Sequence, residues 1–475
     1  MLRYARTPIG GLPLLAMFGV SVIALFLGLF FSALSGLLFS AAAWVALATW
    51  RYPWPAFLLL IAVAPFLLIL KATVVLGPIT LLKDIVILTL FVRSLRGDGV
   101  FLSAPLRVPI IALLVWNMIA FLRADAFALG VLRLRDLLLY VLLLPIAARL
   151  VQTPERRRTF FTVFLGTAAL VLALGVFQWF LFPDSMVLRF DAARQIWIPR
   201  VASVLAHPNH LGGYLVFVVA LAAGIAWTRG CAWRARISAG ALICASVVAA
   251  YFTYSRSAWI AVPLALGSTV LIAGAHRAFR AVGAIVLLLL LAAGVAFAIP
   301  ATRDYIRAVA NPAYQSNRTR LDIFAGSLSE VSNVGVLIGE GLGDTATVLQ
   351  RTADISVHDI VAGEVREAQI AKARTFVDNG VVKTWVEQGT VGLVIVGWIA
   401  VRLLHLGFRT FRAGIAESRA IGMAMGVLVC GLFALWFLLD VPDMFPANLY
   451  FWVFAGLLTA AEVSNSKSQI PNKLQ

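Results

Sequence analysis

Runs of about twenty predominantly apolar residues recur along most of this chain, and they constrain its fold more than any single motif. A run of that length matches a helix crossing a hydrocarbon core of about 30 Å. Lipid offers no hydrogen-bond partners, so a crossing segment must satisfy its own backbone, and continuous apolar runs do so as helices. Charged residues make up only 13% of the chain, against about 25% in ordinary soluble domains, which excludes a water-soluble globular fold. The expected class is an all-α, polytopic transmembrane bundle.

Approximate spans fall at 12–31, 33–50, 55–70, 74–92, 107–122, 131–150, 159–182, 210–227, 236–253, 258–275, 281–299, 389–407, 420–439 and 447–462. That makes about fourteen, or twelve to fourteen if the short ones are re-entrant. Four regions follow: N-terminal helices over 1–158, a second helical block over 159–300, a polar loop over 301–388, and C-terminal helices with a tail over 389–475. The first apolar run continues past about 18 residues with no convincing cleavage site and is expected to stay as an anchor. Cys244 and Cys430 fall inside spans and Cys231 in a short basic loop, which is no disulfide framework.

The net charge of +17 sits between spans instead of forming one basic face. It points to lipid headgroups and phosphate-bearing substrates, with no nucleic acid. Lys and Arg favour cytoplasmic loops. With the N-terminus inside, Arg51, Arg93, Arg96, Arg149, Arg156-Arg157-Arg158, Arg234, Arg236, Arg409, Arg412 and Arg419 all fall on that side. Both termini are then cytoplasmic. Residues 183–209, the turn near Arg256 and the 301–388 loop face outward, which in a bacterial inner membrane is the periplasm. Arg200 and Arg256 are exceptions to the charge rule close to a membrane boundary, and a phosphate ligand would account for them.

Two spans carry charge inside. Lys83-Asp84 lies mid-span, and Arg133, Arg135 and Asp136 open another, with Arg133 and Asp136 one turn apart. A charge at membrane depth costs at least about 2.5 kcal/mol, so it is paired or faces a polar cavity. Structural pairing and a functional role both fit.

Two motifs concentrate outward-facing chemistry. Ile198 to Gly213 leads from an outer loop into a span, with Arg200, Ser203 and His207-Pro208-Asn209-His210. Asn209 is expected to cap the helix that follows, and a helix N-terminus beside a guanidinium makes a phosphate site. Ordinary helix initiation with a snorkelled arginine is the bland alternative. The second motif, Tyr251 to Trp259, is a tight outer turn carrying Ser255-Arg256-Ser257. Its aromatics fit an interfacial belt, whereas its arginine is held at headgroup depth.

These motifs resemble the bacterial O-antigen ligase and O-antigen polymerase superfamily. Arg200-x-x-Ser203 with His207-Pro208-Asn209 is similar to its first signature, and Thr253 to Ala258 to its Ser-Arg turn. Arg320-Leu321-Asp322-Ile323-Phe324 with Ile338 to Gly343, and then Asp378-Asn379 through Leu393, supply the third and fourth. The order holds over about residues 160–410. The resemblance implies a metal-independent glycosyltransferase of the GT-C type, without cofactor. It would move a glycan from undecaprenyl pyrophosphate to an acceptor hydroxyl at the outer face. It also implies that Arg200 and Arg256 engage the pyrophosphate, that Arg320 adds a loop arginine, and that Asn209 and Asn379 contact substrate. Asp378 stands where the family's ligases place histidine. An aspartate with an ordinary pKa near 3.9 is a weaker base. Asp378 therefore reads either as base or as helix cap, with His358 the alternative base. The departure favours an exopolysaccharide or O-antigen polymerase over an O-antigen ligase to lipid A-core, with a protein O-glycosylation ligase also open. Implied partners are the lipid-linked glycan, a glycan or lipid acceptor, membrane lipids and a chain-length regulator.

Gly339 to Gly343 lacks the strand context of a dinucleotide site and reads as a tight loop close to substrate or membrane. Residues 358–376 read as a mixed-charge surface helix. His207 and His210 lack further metal ligands at useful spacing. A lipid-linked oligosaccharide flippase is the competing class, but it should show an internal repeat, and none is visible.

Overall fold

The computed structural model describes residues 20, 23, 33–71, 81–96, 104–191, 196–228, 230–273, 324–327, 329, 331–345, 379–413, 415–441 and 444–469. Most of span 12–31, span 281–299 and most of the polar loop, with Arg320, His358 and Asp378, lie outside them. The described chain is a bundle of helices. Eight of these are long and apolar enough to cross a membrane by length and composition. The all-α polytopic expectation holds.

In chain order the helices are α1 (Ala33–Arg51), α2 (Pro53–Val63), α3 (Leu67–Lys71), α4 (Leu82–Leu95), α5 (Ala104–Leu122), α6 (Phe127–Val141), α7 (Leu143–Leu150) and α8 (Pro154–Leu181). After a hairpin of β1 (Val187–Asp191) and β2 (Ile196–Arg200) come α9 (Pro208–Trp227), α10 (Trp233–Phe252) and α11 (Arg256–Ala273). A short α12 (Asn333–Ile338) precedes α13 (Gly380–Ala413), α14 (Ala416–Leu438) and α15 (Ala447–Gln469). Several starts follow local rules. Pro154 and Pro208 occupy first-turn positions that need no N–H donor, and Thr153 accepts the Arg156 amide at 3.4 Å.

The helices α9, α11 and α13 pack around α14. α9 is buried along almost its whole length, so its residues are apolar all round with no polar stripe. The arginines assigned to one side by the loop count share one end of the bundle. Arg93 and Arg96 lie over Trp50, Arg149 donates to the Ser94 carbonyl, and Arg158 pairs with Glu417. Arg157, fully buried, donates to the Val151, Gln152 and Ala460 carbonyls and to Ser418 Oγ, joining α8 to α14 and α15.

The intramembrane charges are paired, and two of the pairs join separate helices. Asp84 accepts from both Lys83 and Arg135, so it ties α4 to α6, and Lys83-Asp84 occupies the first turn of α4. Arg133 donates to Glu387 on α13 at 3.0 Å, while Asp136 takes Arg135 at 3.1 Å. Glu387 is buried, and an unpaired carboxylate there would be costly, so Arg133 supplies its charge partner from another helix.

α13 begins at Gly380, so its first two turns lie in the stretch that hydropathy assigns to the loop. Gly389 kinks it, with φ at +67°. A Cβ at Gly389 would overlap the Leu337 carbonyl, and one at Gly339 the Glu387 carbonyl, so glycine at both places lets α12 lie directly on the kink. The run from Gly339 to Asp344 is thus a structural clip. The Leu342 amide donates to the Ala120 carbonyl, and Asp344 accepts the Asp125 and Ala126 amides at 3.0 and 2.9 Å. Asp344 therefore caps α6, whose own N-cap position, Ala126, has no side-chain acceptor. Burial holds the Asp344 carboxyl above the ordinary aspartate range, against the two amides, which lower it.

Candidate active site

The end of the bundle opposite the arginine belt collects the hairpin, the N-termini of α9 and α11, the clip around α12 and the start of α13. The hairpin forms because Val187–Asp191 and Ile196–Arg200 are rich in β-branched and aromatic residues, and a two-stranded sheet has only edges, which tolerate Pro199. It ends on the Val187–Arg200 pair. The chain then passes through Ser203 and Ala206, both with left-handed backbone at φ +53° and +60°. Such conformations cost about 1–3 kcal/mol each and persist only where surroundings enforce them. Gln178 Oε1 supplies part of that enforcement, accepting the Ala202 and Ser203 amides at 3.1 and 2.8 Å, and Ser203 Oγ donates to the Val171 carbonyl at 2.7 Å.

Arg200 is 7% exposed. Its Nε donates to the Thr253 carbonyl at 2.9 Å and its Nη2 to Asn209 Oδ1 at 3.2 Å. The same Asn209 oxygen accepts Ser255 Oγ at 2.9 Å, and Ser255 immediately precedes half-buried Arg256. One amide oxygen therefore joins the two sequence motifs. The Val201 amide adds a backbone tie to the Phe252 carbonyl at 3.0 Å. Asn209 is free for this bridge because it does not cap α9, contrary to expectation. His207 is the cap, its Nδ1 accepting the Asn209 amide at 3.1 Å. Both residues carry suitable acceptors, and only the start of the helix at Pro208 decides between them.

Close approach of α9 and α11 underlies this arrangement. A Cβ on Gly212 would stand 2.6 Å from the Ala258 Cβ, so glycine lets the first turns of the two helices touch. Two helix N-termini, each with a partial positive charge, thereby meet beside two arginines. The turn itself is braced: Trp259 stacks on Tyr251 at 6.1 Å, its indole N–H donates to the Ala250 carbonyl at 3.0 Å, and Tyr254 is held at φ +45°. A buried guanidinium beside two helix N-termini is chemistry compatible with an oxyanion such as phosphate.

The start of α13 is fixed at the same end. Asn379 is its cap, with Oδ1 accepting the Val381 and Val382 amides, both at 3.1 Å. Asp378, read from the sequence as base or cap, lies outside the described residues. Lys383 pairs with Asp440 at 2.7 Å, the Gly380 amide donates to the Leu439 carbonyl, Glu387 accepts Arg133 and Thr345, and the Trp116 indole donates to the Gln388 carbonyl. Met444, four residues after Asp440, lies against Gly213 of α9. Nothing in the sequence indicates Glu387, Lys383 or Asp440 as partners in this support, because each partner is 42 to 254 residues away. Among the described residues no group of three or more His, Cys, Asp or Glu side chains is placed to hold a metal ion.

Residues 240–397 match the family model described as O-antigen ligase. The matched segment contains the Ser255-Arg256 turn, the clip and the first half of α13, while Arg200 and Asn209 lie before it. No curated protein matches the chain. The apolar helices mark an integral membrane protein, and over residues 240–397 the chain is similar to the O-antigen ligase family, a glycosyltransferase-like class.

Proposed function

We propose that the chain is a polysaccharide polymerase that transfers a glycan from undecaprenyl pyrophosphate to a hydroxyl of an acceptor glycan at the periplasmic face of the bacterial inner membrane. The observation that carries this reading is the Asn209 bridge, which holds Arg200 against the turn that opens on Arg256. In the transfer, the anomeric carbon–oxygen bond to the pyrophosphate breaks as the acceptor oxygen forms the new glycosidic bond. Arg200, Arg256 and the two helix N-termini stabilise the negative charge that grows on the departing pyrophosphate. The acceptor proton passes to a base on the loop, for which Asp378 is proposed and His358 is the alternative. Arg320 is proposed as a further phosphate contact. Asn379 supports the site by fixing the helix that follows Asp378. The belt of arginines at the opposite end of the bundle supports the cytoplasmic assignment of that end.

The test replaces Arg200 and Arg256 singly by Ala and by Lys. Each Ala variant should lose transfer of a lipid-linked glycan while its membrane level stays unchanged, with Lys restoring little, since it lacks the planar fork. Full activity in both Ala variants would remove the pyrophosphate assignment.

A further inference from the structure

A cavity of about 610 Å³ opens between α8 and α10, directly beside the arginine site. Its two walls are stripes at helical spacing: Ala169, Ala173 and Val176 on α8 face Ala241, Ala245 and Ala249 on α10. Its lining side chains are apolar apart from the Trp179 indole. At the outer end stand Val201, the residue next to Arg200, and Phe252, the residue next to Thr253, tied to each other by a backbone hydrogen bond. Trp179 and Phe252 meet there with ring centroids 4.6 Å apart, and an interfacial tryptophan marks headgroup depth. The groove thus starts where Arg200 is anchored and runs into the membrane. From Phe180 to Ala169 it extends about 17 Å at 1.5 Å per residue, roughly half the hydrocarbon core. Ala173, Ala245, Val176 and Val248 are exposed along it, so the groove is open to the bilayer from the side.

We propose that this groove holds the phosphate-proximal isoprene units of the lipid carrier, and that its alanines set the preference for a methyl-branched isoprenoid over a straight acyl chain. The proposal rests on the reading that Arg200 and Arg256 hold the pyrophosphate. Its own basis is continuity: a cationic site at headgroup depth leads without interruption into an apolar channel, which is the shape of an amphiphile with an anionic head and one tail. Paired alanines leave recesses along both walls where branch methyls fit, and larger side chains there would fill them.

The test is photolabelling of the full-length protein in vesicles with a diazirine-bearing polyprenyl pyrophosphate, alongside a phospholipid carrying the same diazirine at the same depth. The polyprenyl probe should label α8 and α10 peptides, and the double variant Ala173→Phe/Ala245→Phe should lose that label. Both sites are exposed, so the added rings do not enter the core. Equal groove labelling by the phospholipid probe, or unchanged polyprenyl labelling in the double variant, overturns the proposal. In transfer assays the double variant should raise KM about tenfold for a full-length polyprenyl donor, with little change for a two-isoprene donor that ends before Ala173. An unchanged ratio of the two KM values overturns the proposal as well. Groove labelling by the polyprenyl probe alone, in a protein that transfers no glycan, leaves the groove standing and removes the polymerase reading.

Discussion

Two substitutions at Asn209 separate an anion site from a structural bridge. In Asn209→Ala, Arg200 Nη2 and Ser255 Oγ lose their shared acceptor. A hydrogen bond to a charged group contributes about 1.5–3 kcal/mol. If Arg200 is then misaligned towards the pyrophosphate, kcat/KM should fall roughly 10- to 100-fold at 1.36 kcal/mol per decade. Asn209→Asp keeps the shape and both acceptor contacts but places a carboxylate about 3.2 Å from the guanidinium. For a purely structural bridge this is an improvement, since the bond becomes charge-assisted on both sides. For an anion site it is damage, because the new carboxylate competes with the phosphate for Arg200. Asn209→Asp is expected to melt no lower than wild type in detergent yet to transfer glycan more slowly than Asn209→Ala. The assay is extension of a defined lipid-linked oligosaccharide, read by gel, with melting followed in parallel. Near wild-type transfer by Asn209→Asp would exclude Arg200 as a ligand of the pyrophosphate.

Gly212→Ala should push the first turns of α9 and α11 apart, costing about 1–3 kcal/mol by overpacking and reducing transfer, whereas Gly240→Ala, which meets nothing within 4 Å, should be neutral in both assays. Asp344→Ala leaves the Asp125 and Ala126 amides without their acceptor and should lower detergent stability by about 1–3 kcal/mol in a thermal melt. Because the folded Asp344 pKa is raised, its titration favours the folded state fully below the ordinary aspartate value, and that increment is lost as pH rises through the raised value. Asp344→Asn should flatten this part of the melting profile. For topology, a cysteine at exposed Asn333 in a cysteine-free background should label in intact spheroplasts, and one at exposed Ala235 only after permeabilisation; buried Asp344 is a poor site for such a probe.

The two arginine motifs were legible in the sequence because each couples a charge to a membrane boundary, where a bland explanation is weakest. Their meeting was not. It depends on Gly212, a glycine beside a second glycine in an apolar helix, whose purpose appears only when Ala258 is placed against it. Capping by His207 instead of Asn209 was equally hidden, since both side chains carry acceptors. The hairpin at 187–200 escaped an all-helical reading because its strands are only five residues each and interrupted by Pro199. Long-range support is the least visible class: Asp344 caps a helix more than 200 residues earlier, and Arg157 reads as one more cytoplasmic arginine although it is fully buried. The intramembrane charges show the same limit. That they are paired follows from the cost of burial, but that Arg133 reaches Glu387, 254 residues away, follows only from the fold.

The most direct measurement reconstitutes the purified protein in liposomes with a defined undecaprenyl-pyrophosphate oligosaccharide as both donor and acceptor. The expected product is a ladder of longer lipid-linked glycans, absent with Arg200→Ala and Arg256→Ala. Translocation of the oligosaccharide across the bilayer without any new glycosidic bond would contradict the polymerase reading.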